Sequence, residues 1–481
     1  MTDVRDRGDP AATGSPPPAA RSRAALATFA AAVVAGGLVR VWQIRGRDDL
    51  VWADSKDFLA SARAPWASLA LWAGPRTAAV PAVLKVVGQD DYVTVQAAVA
   101  VLCWAALAAA VGAAVGGRWA RWLAAGAVVA FSVTAPVVMW ERSVLSESLA
   151  ISLTALVVAT VVQLCRGVTA WRVAALLAAT AAWLTTRDSH AVVAAVAGAV
   201  VAAGLAVDEL WWRRTRPRPP AGDAGTPPAA ERPRRGTRRA LTGLALGALV
   251  LAFVSAWGAD HGHRQTYPMR NVFEVRVLPY PDRVRWFAAH GMPQADVFAG
   301  PDARAPYREP GQAAVVPVGD DDPELGPWLD WVGGDGARRA YLRFAATHPL
   351  YLLAEPLRTP ERAFNNAHGD RGFYTPGDQR DVPLLGSFVL PTWVVLLLAA
   401  VVAGWALGAR RWSPVLAAGA VVAGLSVPHG LAAWHSDGME TARHLVVPAL
   451  QLHLGVLLMV VGAVAAARAR AVPEPLPSGH G

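Results

Sequence analysis

The chain has 481 residues, 54% of them hydrophobic and only 17% charged, with a mean hydropathy of +0.31. An ordinary soluble domain carries about 25% charged residues, so this composition excludes a disordered chain and argues against a soluble globule. The 45 Lys and Arg residues outnumber the 36 Asp and Glu residues, but in a membrane protein this excess does not by itself indicate a nucleic-acid partner.

Residues 1–20 are polar and rich in Pro, Gly and Ala, which predicts a disordered N-terminus. The first apolar segment follows at once and lacks a small-residue cleavage site, so we expect an uncleaved anchor rather than a signal peptide. A helix needs about 20 apolar residues to cross the hydrocarbon layer. The ten segments predicted to cross are 24–43, 92–115, 122–140, 144–164, 172–186, 190–207, 240–258, 387–407, 413–429 and 445–467.

Residues 172–207 allow two interpretations, because polar residues at 185–190 interrupt one long apolar stretch. A single span would place the Arg-rich segment 208–239 outside the cell, against the positive-inside rule. Two helices joined by a tight external turn are therefore predicted.

Charge is distributed unevenly between the predicted loops. Segment 208–239 holds nine Arg and four acidic residues, net +5, whereas 259–386 holds 14 basic and 17 acidic residues, net −3. Cytoplasmic loops concentrate Arg and Lys, so 208–239 and both termini, including the tail 468–481, are predicted to be cytoplasmic. The basic residues then lie near anionic lipid, and we expect membrane lipids rather than nucleic acid as their partners.

Two segments are predicted to lie outside the membrane. Loop 45–91 is interrupted by prolines, and its tryptophans indicate short helices in the interface. Helix-like stretches at about 281–290 and 336–364 predict an α-rich external cap. The predicted fold is an all-α polytopic membrane protein that comprises a transmembrane module over 21–258, the cap over 259–386 and C-terminal transmembrane helices over 387–467.

Ionisable residues gather at the predicted external ends of the helices. Because an ionisable group near lipid costs free energy, such a cluster indicates a functional site. The first group is Asp54-Ser55-Lys56-Asp57-Phe58 in the first loop. A carboxylate flanked by apolar residues just outside the membrane has a raised proton affinity and suits a general base. The alternative is structural, because Asp54 or Ser55 is a typical cap for a helix that begins there; both roles can coexist.

Two further groups are predicted at the same rim. Glu147 stands about one turn inside an apolar helix and needs a partner, which Arg142 or a ligand would supply. The alternative for Arg142 is an interfacial pair with the preceding glutamate. Arg187 is followed by Asp188 and His190. A guanidinium there is either a surface anchor or a group that holds a lipid phosphate through its fork of donors.

The last group runs from His435 to His444. If the segment is helical, Asp437, Glu440, Arg443 and His444 share one face. Glu440 and His444 would then suit a divalent cation, and a structural ion pair is the other interpretation. The sequence does not itself require a cofactor.

Together these motifs resemble the GT-C superfamily of polytopic glycosyltransferases. Its members include protein O-mannosyltransferases, the lipid A aminoarabinose transferase and actinobacterial arabinofuranosyltransferases. Members have an acidic motif in the first external loop and use polyprenyl-phosphate sugars. The similar segments here are 54–58, 72–83 with its Gly74-Pro75-Arg76, 145–149 around Glu147, and 341–352 with its His348-Pro349.

The resemblance implies a GT-C-like fold and transfer of a sugar from a polyprenyl-phosphate donor to an extracytoplasmic glycan, lipid or protein. In such a reaction the acceptor hydroxyl attacks the anomeric carbon while Asp54 or Asp57 takes its proton, and arginines stabilise the leaving phosphate. Arg187, Arg443 and Arg142 are the phosphate candidates, in falling order.

A single site of this kind requires Asp54, Glu147, Arg187 and Arg443 to converge around one external cavity within about 10–15 Å. Two other function classes stay open: a transporter or flippase for a lipid-linked sugar, and a non-catalytic membrane scaffold that binds a partner through 259–386. Charges at one rim, rather than at the bilayer midplane, favour surface chemistry over transport. A scaffold predicts that the rim acids are dispensable.

Overall fold

The computed structural model describes residues 18–46, 50–215, 232–299, 325–358, 392–409, 412–438 and 441–468. Within these ranges the chain is helical and forms no strand beyond a single bridge between Leu50 and Ser143. The predicted tail 468–481 beyond its first residue, and residues 1–17 of the predicted disordered N-terminus, lie outside the described residues. Helix α1 begins at Pro18, because proline suits a first helical turn, where its missing N–H needs no partner.

The described ranges hold twenty helices, numbered here in chain order. They are α1 (Pro18–Ile44), α2 (Ala53–Ala62), α3 (Leu69–Trp72), α4 (Ala79–Val87), α5 (Tyr92–Ala114), α6 (Arg118–Ser132), α7 (Ala135–Val138), α8 (Glu147–Cys165), α9 (Ala170–Leu184), α10 (Ser189–Thr215), α11 (Arg232–His261), α12 (Thr266–Arg276), α13 (Pro281–Ala288), α14 (Ala295–Ala299), α15 (Gly326–Gly333), α16 (Asp335–Thr347), α17 (Pro349–Arg358), α18 (Thr392–Ala409), α19 (Pro414–Ser436) and α20 (Thr441–Arg468).

Six of these helices are long and apolar enough to cross a membrane, so the chain is a helical membrane protein. They are α5, α8, α10, α11, α19 and α20. Shorter apolar stretches lie in α1, α9 and α18, over Thr28–Ile44, Ala170–Leu184 and Val394–Ala409. With α6 included, each of the ten predicted spans coincides with a helix. That all ten helices cross the membrane stays a prediction.

The predicted span 122–140 ends early, at Ser132. Pro136 has no N–H, so a continuous helix would leave the Ser132 carbonyl without its usual partner. The chain instead turns and restarts as α7, with Pro136 in its first turn. The Ser132 carbonyl accepts hydrogen bonds from the Arg40 guanidinium of α1, including one of 3.2 Å from Nε. Arg40 also pairs with Glu141 at 2.7 Å, so a buried cation ties α1 to the turn before α8.

Two separate helices cover residues 172–207, which confirms the predicted break. Helix α9 ends at Leu184, where the hydroxyls of Thr185 and Thr186 donate back to carbonyls of the last turn, and α10 begins at Ser189. Both α10 and α11 run further into the Arg-rich segment 208–239 than their apolar lengths predict, because Arg and Glu favour helices. Residues 216–231 in the middle of that segment lie outside the described residues.

Consecutive helices pack as antiparallel neighbours, with α5 against α6, α10 against α11, and α19 against α20. Helix α8 packs beside α5 in the same direction, and the Tyr92 hydroxyl at the start of α5 donates to the Leu145 carbonyl just before α8. Glycine allows close approaches between helices: a Cβ on Gly455 would come within 2.6 Å of the backbone N of Ala423. Contacts between helix ends bring five segments together at one end of the bundle. These are the end of α1, the start of α5, the α7–α8 turn, the α9–α10 turn and the α19–α20 turn. We call it the site end.

The first loop and the cap both form short helices, as predicted. The Ala79 N–H donates to the Thr185 carbonyl at 3.0 Å and so attaches α4 to the α9–α10 turn. The described part of the cap, α12 to α17, has its own aromatic core around Phe273, Phe287 and Trp328. The described part of the predicted stretch 336–364 forms two helices, α16 and α17, because Pro349 starts a new helix. Cap residues 300–324 and 359–386, and residues 387–391 of the next predicted span, lie outside the described residues.

Candidate functional site

A cavity of about 700 Å³ lies at the site end, between the first loop, the described cap helices and the helix ends. Its volume suits a medium-sized ligand. Charged residues line one part of it and apolar residues the rest, among them Val192, Leu342, Leu352, Pro428 and Leu431. Eight residues that the sequence singled out line this cavity: Asp54, Glu147, Arg187, Asp188, His435, Asp437, Arg443 and His444.

Asp54 lies in the first turn of α2, and its carboxylate is not the helix cap. The N-cap residue is Trp52, and the Ser55 hydroxyl supplies the reciprocal bond of a capping box, because it accepts from the backbone N–H of Trp52 at 2.9 Å. The same hydroxyl donates to the Val144 carbonyl at 2.8 Å. The Asp54 side chain is thereby left for the cavity, where Arg443 holds one carboxylate oxygen at 2.9 and 3.0 Å.

Arg76, from the loop before α4, holds the other Asp54 oxygen at 2.8 Å and Asp57 at 2.6 Å. Burial raises the pKa of the Asp54 carboxyl, but the charges and hydrogen bonds of Arg443 and Arg76 outweigh burial and set that pKa below its usual value. Asp54 is therefore an ionised, doubly paired carboxylate.

Glu147 begins α8 and is almost fully buried. Arg187 donates to it at 2.5 Å and also to the His444 carbonyl at 3.2 Å, which ties the α9–α10 turn to α20. Nε of Arg443 lies 3.4 Å from the same Glu147 oxygen. The helix N-terminus adds a favourable field for this carboxylate.

These contacts form one row of alternating charges, which we call the charge chain. In order, it consists of Asp57, Arg76, Asp54, Arg443, Glu147 and Arg187. Three carboxylates balance three guanidiniums, so its formal charge is zero. The exposed fraction of the carboxylate side chains falls from 56% at Asp57 to 19% at Asp54 and 2% at Glu147. The chain thus leads from solvent into the protein.

Three predicted residues lie apart from the cavity lining. Asp57 lies at the exposed end of the charge chain. Arg142 is buried, and its carbonyl accepts from the Leu50 N–H at 2.9 Å. His190 is fully buried, with its ring stacked on Trp183 at 3.7 Å. Arg142 and His190 are thus not among the residues that line the cavity.

The predicted helical face over 437–444 is wrong. Helix α19 ends at Ser436, Asp437 is extended and α20 begins only at Thr441, because two antiparallel helices need a turn between them. Asp437 and His444 still meet across that turn, with Oδ2 and Nε2 3.2 Å apart. Glu440 lies outside the described residues, so the proposed Glu440–His444 cation pair stays a prediction. In the described ranges no cluster of three His, Cys, Asp or Glu residues suits a metal ion.

The cap joins the same turn through hydrogen bonds. Asn271 donates to Asp437 at 3.0 Å, and the Tyr341 hydroxyl lies 3.0 Å from Nδ1 of His435. Nε2 of His435 lies 2.9 Å from the Leu352 carbonyl. The His435 ring therefore connects α19 to both α16 and α17, which form a wall of the cavity.

The sequence motifs assign no role to three of the cavity arginines, Arg76, Arg264 and Arg338. Arg76 lies only within a family-like segment, and its proximity to the acidic motif is the available signal. Arg264 pairs with Asp188 at 2.9 Å and donates to the Gly74 carbonyl at 3.0 Å. No periodic pattern predicts this contact, because both partners lie in turns.

The cavity combines a paired carboxylate, several guanidiniums and an apolar wall. Guanidiniums bind phosphate or carboxylate groups, and apolar walls accommodate hydrocarbon. No family model, no curated protein and no solved structure matches this chain.

Proposed function

We propose that this protein is a membrane glycosyltransferase that moves a sugar from a polyprenyl-phosphate donor to an acceptor outside the cytoplasm. The observation that carries the proposal is the convergence of Asp54, Arg76, Arg187 and Arg443 in one partly apolar cavity at the ends of membrane helices. An amphiphilic phosphate donor needs both cations and an apolar path. The GT-C resemblance of the sequence supports the same reaction class.

The proposed reaction is a direct displacement. The acceptor oxygen forms a bond to the anomeric carbon as the bond from that carbon to the phosphate oxygen breaks. The acceptor proton passes to the Asp54 carboxylate, and the polyprenyl phosphate leaves with the electron pair. Guanidiniums aimed at the phosphate stabilise its growing charge, which lowers the barrier.

Asp54 is the proposed base rather than Asp57. Asp54 lines the cavity, whereas Asp57 is more than half exposed and contacts only Arg76 within the charge chain. Arg443 and Arg187 are proposed phosphate ligands, and Arg76 is a third. Arg142 is no longer part of the proposal, because it does not line the cavity. The proposal also places the termini in the cytoplasm and the site outside it. The positive-inside rule supports this orientation.

The test is a transfer assay on the purified protein in detergent, with a panel of polyprenyl-phosphate sugars and extracts of envelope acceptors. Loss of a general base costs about 10²–10⁴-fold in rate, so Asp54→Asn should lose that much transfer. Asp57→Asn is the matched control and should keep most of it. Full transfer by Asp54→Asn would contradict the proposed role. The same protein is also reconstituted in liposomes, where movement of the intact lipid-linked sugar between leaflets, without transfer, would support a flippase instead.

A further inference from the structure

The contacts of Asp54 oppose its proposed role as a general base. A general base must be basic enough to take the incoming proton, and each guanidinium that holds a carboxylate lowers the proton affinity of that carboxylate. Both Asp54 oxygens are engaged: Oδ2 accepts from Nη1 and Nη2 of Arg443 at 2.9 and 3.0 Å, and Oδ1 accepts from Arg76 at 2.8 Å. While these contacts persist, the carboxylate is a poor proton acceptor.

The same arginines are the groups that the donor phosphate requires. A carboxylate and a phosphate each present anionic oxygens to the forked donors of a guanidinium, and they therefore compete for it. Arg187 is the least available of the three, because it is buried and held by both Glu147 and the His444 carbonyl. Arg443 and Arg76 both face Asp54 across the cavity.

Charge balance favours the competition. The charge chain already pairs three carboxylates with three guanidiniums, so an added phosphate brings excess negative charge unless it replaces a carboxylate on a guanidinium. Arg443 and Arg76 each keep a second carboxylate, Glu147 and Asp57 respectively, when they leave Asp54. Asp54 has no third cation within the charge chain, so it is the group that is released.

We infer that the donor phosphate and Asp54 exchange places on Arg443 and Arg76, so that donor binding itself frees the general base. This inference rests on the proposed function and adds its regulation. The order of events follows from the exchange: Asp54 accepts a proton from the acceptor only after the phosphate has taken its cations. The general base is therefore active only when the anomeric carbon that the acceptor attacks is in the cavity.

The exchange predicts opposite effects of one substitution on binding and on transfer. Asp54→Asn removes the competing charge while it keeps the side-chain size, so the phosphate should bind more tightly even though transfer is lost. A hydrogen bond to a charged group is stronger than one between neutral groups, so we expect an affinity gain of at least about tenfold, which corresponds to about 1.4 kcal/mol. If Asp54 served only as a base and did not compete for the arginines, Asp54→Asn should bring no gain in phosphate affinity.

The experiment measures the affinity of undecaprenyl phosphate for the full-length protein in a phosphate-free maltoside detergent, by native mass spectrometry. The variants are Asp54→Asn, Arg443→Gln, the double variant Asp54→Asn/Arg443→Gln and, as the matched control, Asp282→Asn, which breaks an exposed ion pair with Arg285 away from the cavity. We expect about tenfold tighter binding for Asp54→Asn, less than about twofold change for Asp282→Asn, and a much smaller gain from Asp54→Asn in the Arg443→Gln background. Size-exclusion profiles check the fold of each variant, and Asp54→Ser replaces Asp54→Asn if the latter aggregates.

Equal or weaker binding by a folded Asp54 variant would overturn the exchange. An equal gain with and without Arg443 would overturn the role of that arginine in the exchange. Failure of the proposed function gives a different result: neither the unmodified protein nor Asp54→Asn would then bind undecaprenyl phosphate better than uncharged undecaprenol.

Discussion

The guanidinium of Arg443, in the first turn of α20, joins the carboxylates of Asp54 in α2 and Glu147 in α8. Its Nη1 lies 2.9 Å from Asp54 and its Nε 3.4 Å from Glu147. One side chain from the last helix therefore connects the first loop to the core of the bundle. A change at any of the three residues should affect both stability and the cavity.

Glu147→Gln should destabilise the protein strongly. The amide keeps the shape of the side chain but leaves the buried Arg187 without its carboxylate, and breaking a buried ion pair costs about 3–5 kcal/mol. The measurement is the unfolding free energy in mixed detergent micelles. Glu209→Gln, which breaks partly exposed ion pairs with Arg213 on α10 and Arg238 on α11, is the control and should change stability much less. Equal effects of the two substitutions would contradict the buried role of Glu147.

The contribution of Asp54 to stability should depend on pH with a definite sign. Its folded pKa is lowered, because the two arginines outweigh burial, whereas the unfolded value is about 3.9. A lowered pKa stabilises the folded state above the unfolded pKa, and this contribution disappears as pH falls through the folded pKa. Unfolding curves of the unmodified protein and of Asp54→Asn should therefore differ by a constant amount above about pH 5 and converge below about pH 4. A difference that grows on acidification would contradict the ion pairs.

Gly262→Ala should reduce transfer while the protein stays folded. A Cβ on Gly262 would overlap the Gly74 carbonyl, so the loop that carries Arg76 has to move. Gly243→Ala in the preceding helix, α11, is the control, because nothing lies within 4 Å of its Cβ position, and alanine there favours the helix. We expect at least about a tenfold loss of transfer for Gly262→Ala, in line with the sensitivity of catalysis to small displacements. The control should keep full transfer.

Arg187→Lys tests whether geometry or charge matters at that position. Lysine keeps the positive charge but cannot reach both Glu147 and the His444 carbonyl with the fixed fork of a guanidinium. The Michaelis constant for the donor should rise, and transfer should fall by about tenfold or more. Arg338→Lys, which lines the same cavity but pairs with Asp260, should change both values much less. If Arg187→Lys were as active as the unmodified protein, the positive charge of Arg187 would contribute to the proposed mechanism but its forked geometry would not.

The sequence predicted the membrane helices and the meeting of Asp54, Glu147, Arg187 and Arg443, because hydropathy locates helix ends and alternating crossings bring every second end together. It did not predict a role for Arg76 or Arg264. Turns carry no hydrophobic period, and such contacts depend on close approaches such as that of Gly262 to Gly74.

The error over 437–444 has a related cause. Asp437 and His444 were expected on one helical face from their spacing, yet they meet because the chain reverses direction between them. A Cβ at Gly438, inside that turn, would overlap the Asn271 carbonyl, so the turn also depends on contact with the cap. Local spacing cannot report a contact that comes from a distant segment.

The balanced charge chain also bears on how a ligand reaches the cavity. Alternating charges cancel within a few ångströms, and the neighbouring Arg264–Asp188 and Arg338–Asp260 pairs cancel in the same way. A ligand in bulk solvent therefore meets little long-range field to steer it. Association should then respond weakly to ionic strength, since screening acts mainly on long-range attraction. Capture would depend on encounter by diffusion within the plane of the bilayer.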